Sequence, residues 1–159
     1  MGRIHQDYPN WQLNIFGKGD MRDELQRHID GLGLSDSVHL CGRTPKPYYE
    51  MRRSSIFVLS SHYEGFPNVL CEAMYAGDLC ISSDCVSGPR ELIVPGKNGW
   101  LFPVGDEHKL TDELRHCIKS IESGDDMDSI RSSAQNTVKR LYMDENIKHW
   151  VCLVQKVKR

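Results

Sequence analysis

The chain of 159 residues is 39% apolar and carries a formal net charge of -2, with Lys+Arg 20 against Asp+Glu 22, which allows one globular core and offers no basic field of the kind nucleic acid needs. No apolar run reaches the roughly 18 residues of a membrane span, and "MGRIHQDYPNW" lacks the apolar stretch of a secretory signal, so a cytoplasmic protein is expected. Cys41, Cys71, Cys80, Cys85, Cys117 and Cys152 form no C-x-x-C pair, which suggests neither zinc nor a disulfide framework; several sit in apolar runs as small hydrophobes.

In chain order, "WQLNIFG", "SVHLCG", "SIFVLSS", "LCISSD" and "GWLFP" are short apolar or β-branched runs, most of them closed by Gly, Ser or Asp, and read as strands. Helical stretches lie between them at residues 21–30, 47–53, 68–76 and 89–94. Alternation of this kind predicts an α/β fold, a Rossmann-like parallel sheet of about five strands with helices on both faces. Beyond Pro103 the pattern is wholly helical: Asp106 is placed to cap a helix carrying Leu110, Leu114 and Ile118, and further helices are expected at 130–141 and 146–157. The acids of "DMD", Asp126 and Asp128, follow Ser123 and Gly124 and read as a helix cap rather than a metal site.

Ligands of open parallel sheets bind beyond the carboxyl ends of the strands. The turns at 17–20, 42–44, 60–66 and 84–88 are therefore expected to share one rim. A helix beginning near Asn68, after Gly65 and Pro67, would aim the amides of Asn68, Val69 and Leu70 at that rim, where a phosphate or diphosphate is welcome. Glu64 lies in the loop before this helix and Glu72 one turn into it, with Val69, Leu70, Ala73, Met74 and Gly77 as the apolar face. Two carboxylates beside a phosphate site suit hydrogen bonds from ligand hydroxyls such as those of sugars and ribose.

The residues between the two acids narrow the reading. "EGFPNVLCEAMYAG" resembles the E-x7-E signature of retaining glycosyltransferases of family 4, which carry two Rossmann-like domains in the GT-B fold. "PNWQLNIFGKG", "VHLCG", "FVLSSHYEGFP", "SSDCVSGPRELI", "GKNGWLFP" and "DEHKL" follow that family's C-terminal, donor-binding domain in order. The resemblance implies a donor domain at residues 1–142 and a C-terminal helix at 143–159 that packs toward an N-terminal domain. It implies that Glu72 holds the ribose hydroxyls of a nucleotide diphosphate sugar and that Glu64 is the catalytic residue, contacting hydroxyls of the transferred sugar. Gly65, Phe66, Pro67, Asn68, Val69 and Leu70 would line sugar and diphosphate, and Arg43 and Thr44 would flank the base. The donor is expected to be a uridine diphosphate (UDP) sugar, a hexose or N-acetylhexosamine, passed with retention to a polysaccharide or lipid-linked acceptor, at the inner face of the membrane if the acceptor is a lipid. No metal is expected, because fixed amides and cationic side chains can stabilise the departing diphosphate.

The sequence departs from the family pattern at its start. The Arg and Lys of a "GRx…KG" segment, which supply the family's leaving-group cations, have no counterpart, and the "MGR" that imitates it stands too close to Pro9 for the intervening helix. Without the N-terminal half the chain is expected to be inactive alone. The absent strand is the central one, so the strands "QLNIF" and "IFVLS" either close the gap or leave edges that another chain covers. Self-association is also expected through the stripe of Ile147, Trp150, Val151, Val154 and Val157. Among the remaining cations Arg90 is the better candidate for the diphosphate and Lys18 reads as a solvated turn; Glu91 could face the sugar, and His62 reads as solvent-facing. The rival reading is a non-catalytic nucleotide-sugar-binding or interaction module.

Overall fold

A computed structural model describes residues 1–141. The expected C-terminal helix and its apolar stripe lie outside the described residues. All five expected strands are present: β1 (Leu13–Phe16), β2 (Val38–Gly42), β3 (Ile56–Leu59), β4 (Leu79–Ser83) and β5 (Trp100–Phe102). Between and after them run α1 (Arg22–Gly31), α2 (Pro47–Met51), α3 (Asn68–Ala76), α4 (Pro89–Leu92), α5 (Glu107–Glu122) and α6 (Asp128–Lys139).

Every pairing is parallel, but the ladder is broken where the sequence left a choice. β1 pairs with β2 in one sheet, and β3, β4 and β5 form another in that order. Of the two alternatives the sequence left, closing of β1 onto β3 is not seen among the described residues: the five parallel strands make two sheets of two and three. The chain divides accordingly into two compact units, residues 1–47 and the remainder from Tyr48.

In the first unit, Ile29, Leu34 and Val38 form a small core with Met1, Leu13 and Leu40 against it. Residues 2–7, to which the sequence assigned no element, form hydrogen-bonded turns that bury Ile4 to 1% exposure. The amide of Gly17 donates to the carbonyl of Gly42 at 2.8 Å, tying together the turns that follow β1 and β2.

In the second unit β4 is central, and all five of its residues are buried. Successive side chains of a strand point to opposite faces. Leu79 and Ile81 therefore enter a core with Trp100, Phe102 and Cys117, packed on by Leu110, Leu114 and Ile121 of α5. Cys80 enters the other core, with Leu70, Ala73 and Met74 of α3 and Ala134 and Val138 of α6. Asp106 caps α5 as expected, its side chain accepting from the amide of Lys109 at 2.9 Å. Asp126 accepts from the amide of Asp128 at 2.9 Å just before α6, whose N-cap is Met127 and has no side-chain cap, so the expected capping by this acidic pair is limited to a turn ahead of the helix. Among the described residues no helix is long and apolar enough to cross a membrane.

Candidate functional site

The loops after β3 and β4 are bolted to one another. Past the last ladder pair, Leu59 with Ser82, the buried Ser83 hydroxyl donates to the carbonyl of Ser61 at 2.6 Å, and Tyr63 bridges Val86 in parallel. Gly88 then lies so close to Pro67 that a Cβ at that position would stand 2.3 Å from the proline Cδ. Its φ of +94° is a second reason for glycine there. The expected rim at 60–66 and 84–88 is thus one continuous structure beside the tip of α3. Arg43 and Thr44 stand in the first unit, on the loop after β2, where Thr44 Oγ1 accepts from the amide of Lys46 at 3.1 Å. Lys18 is exposed.

The tip of α3 begins at Asn68, with Pro67 at the N-cap, but its amides are distributed differently from the simple helix-end picture. Asn68 N–H is taken by the carbonyl of Phe66 at 2.9 Å, and Leu70 N–H by that of Pro67 at 3.0 Å. Pro67 has no N–H. The amides of Gly65, Phe66 and Val69 have no protein acceptor among the described residues, and those three are the donors this tip offers. Val69 is 37% exposed, so it leaves the apolar face that sequence spacing assigned it, while Leu70, Ala73 and Met74 are fully buried.

Glu72 is exposed on the flank of α3 and lines a cavity of about 400 Å³ together with Asn68, Phe66, Cys71, Tyr75 and Tyr48. The rings of Tyr48 and Tyr75 lie 6.0 Å apart, tilted by 32°. Polar groups set in an aromatic wall are the usual make-up of a small-molecule pocket. Glu64 is half-buried and is not among the lining residues. Its Oε1 accepts from the Ser61 hydroxyl at 2.6 Å, and Oε2 has no protein partner among the described residues.

Arg90 is exposed and engaged: its Nε donates to Asp84 Oδ1 at 2.8 Å and its Nη2 to Asp84 Oδ2. This side-on grip leaves the Nη1 edge of the guanidinium for another anion, and the hydrogen bonds to Asp84 and its charge raise the arginine pKa above its ordinary value. Sequence reading missed Asp84, because a pairing six residues apart across a turn leaves no periodic signal. Glu91 and His62 are exposed.

Residues 1–135 match the family model described as glycosyl transferases group 1. The chain belongs to this family. An uncharacterized glycosyltransferase of Methanocaldococcus jannaschii is 31% identical over 96% of this chain, which spans 44% of that protein. The lipopolysaccharide 1,6-galactosyltransferase of Salmonella typhimurium is 40% identical over 68% of the chain and 31% of its own length. Among solved structures, the apo form of the lipopolysaccharide outer core galactosyltransferase WaaB superposes with a TM-score of 0.76 at 32% identity, over 92% of this chain and 41% of that one. Anabaena HepE in complex with UDP gives a TM-score of 0.82 at 23% identity, over 97% and 43%, a likeness of fold. The group 1 glycosyltransferase chain thus spans less than half the length of these relatives.

Proposed function

We propose that this chain is the donor-binding part of a retaining, family 4 glycosyltransferase, and that it binds a UDP-hexose or UDP-N-acetylhexosamine destined for a polysaccharide or lipid-linked acceptor. The observation that carries the reading is the tip of α3, where three open amides, of Gly65, Phe66 and Val69, stand between Glu64 and Glu72. Open N–H groups at a helix start attract a diphosphate. Glu72, in the wall of an aromatic-lined cavity, accepts hydrogen bonds from the ribose hydroxyls. Glu64 contacts the transferred sugar through its unpartnered oxygen. Asn68 contributes its side chain rather than its amide, and Pro67 and Leu70 shape the tip. The names of the relatives support a sugar transfer, and UDP bound to HepE supports the nucleotide.

Breaking the anomeric bond places negative charge on the departing diphosphate, and donors fixed in advance stabilise that charge without reorganising. The amides and the free edge of Arg90 supply this here without a metal. Calorimetric titration of the chain with UDP tests the reading: saturable binding is expected, weakened about tenfold or more in Glu72→Ala because a charge-assisted pair of hydrogen bonds is lost. Absence of heat at millimolar UDP, or an unaffected Glu72→Ala, contradicts it.

A further inference from the structure

Ser61 holds one oxygen of Glu64 at 2.6 Å, is itself held through its carbonyl by the buried hydroxyl of Ser83, and leaves the other oxygen of Glu64 without a protein partner among the described residues. The arrangement runs from the end of the central strand β4, through the start of the loop after β3, to a carboxylate. A short O–H···O⁻ bond is among the stronger hydrogen bonds, and a carboxylate gripped at one oxygen has lost its torsional freedom before any ligand arrives. The loop does not depend on this bond for its shape, since the Tyr63–Val86 bridge and the Gly88–Pro67 contact already fix it. What the bond does determine is the direction of Oε2.

We infer that Ser61, anchored by Ser83, is a positioning residue that aims Glu64 at the transferred sugar and thereby sets how well the site discriminates one sugar from another. The inference rests on the donor-binding reading of Glu64 given above. It separates the site into a nucleotide part, carried by α3, and a sugar part, whose register is set from β4. Because Ser61 donates to the carboxylate rather than to the ligand, its removal leaves Glu64 present but free to rotate, and the consequence falls on sugar recognition.

The test is a titration of the 159-residue chain with UDP and with UDP-glucose, UDP-galactose and their N-acetyl counterparts, reading the affinity of each sugar nucleotide relative to UDP. Glu64→Ala is expected to bring that ratio near unity for the preferred sugar. Ser61→Ala is expected to lower it about tenfold and to flatten the differences among the four sugars, and Ser61→Thr, which keeps the hydroxyl, to restore it. Should Ser61→Ala fail to fold, Ser61→Cys keeps the volume with a much weaker donor and is expected to give the same fall. A ratio retained in Ser61→Ala or Ser61→Cys but lost in Glu64→Ala overturns the inference alone. A ratio retained in Glu64→Ala overturns the donor reading of Glu64, and the inference with it.

Discussion

β4 and β1 are both short parallel strands of largely apolar sequence, yet every residue of β4 is buried whereas Ile15 and Phe16 of β1 are 36% and 43% exposed. The difference lies in their neighbours. β4 has a strand on each side and packs against α3 and α5, while among the described residues β1 pairs with β2 alone. "LNIF" and "LCISS" look alike as strings, so how deeply each is buried is a property of the sheet around it. The site follows this division: the segments after β3 and β4, with Glu64 in the loop, Glu72 on α3 and Arg90 on α4, rise from the well-buried sheet.

Paired substitutions sharpen the contrast. Ile81→Ala, in β4, is expected to cost about 2–5 kcal/mol of stability, the usual penalty for emptying a packed core position, and Ile15→Ala in β1 less than about 1 kcal/mol; urea midpoints measure both. Equal penalties would show that β1 is as firmly packed as β4. Gly88→Ala is expected to cost about 3 kcal/mol, since the added methyl meets Pro67 and a positive φ is strained for alanine. Gly42→Ala, also at positive φ but with nothing within 4 Å of the new Cβ, is expected to cost about 1 kcal/mol.

Asp78, at the junction of α3 and β4, is 2% exposed, accepts from the Ser54 hydroxyl at 2.7 Å and leaves Oδ2 unpaired among the described residues. Burial pushes its carboxyl from 3.8 up to about 6, against the opposing pulls of the Ser54 hydrogen bond and the charge of Arg131. The folded chain therefore binds this proton more tightly than the unfolded chain. This group's contribution to stability is greatest below about pH 4, falls as pH rises through about 6 and levels above it, by roughly 2–3 kcal/mol in all. Midpoints measured from pH 4 to 8 are expected to show this fall, and Asp78→Asn to remove it. The smallest effect is expected at the rim: Asp84→Ala, which breaks only an exposed ion pair with Arg90, is expected to leave the urea midpoint nearly unchanged.

Much of this architecture was legible in the sequence. Gly, Ser and Asp close most of the apolar runs that became strands, Pro67 and Asn68 mark the start of α3, and Asp106 marks that of α5. These signals are local, set by φ preferences and short hydrogen bonds. The two acids around Gly65, Phe66 and Pro67 stood out for a different reason, the resemblance of the residues between them to a family motif. What stayed hidden depends on partners far along the chain. The break between β1 and β3 is a matter of pairing rather than propensity. Asn98 is buried because it donates to Leu92 O and to Thr137 Oγ1, 39 residues away, and accepts from Val94 N. The amides left open at the α3 tip were hidden too, because the carbonyls of Phe66 and Pro67 claim Asn68 and Leu70 only once the turn has formed.

The central claim is that these open amides receive a diphosphate while Glu72 receives ribose. Amide-resolved NMR of the chain during a UDP titration tests it most directly. The account predicts saturable shifts at Gly65, Phe66 and Val69, greatly reduced in Glu72→Ala, with β5 and α5 silent. Shifts confined to other parts of the chain, or none at millimolar UDP, would contradict it.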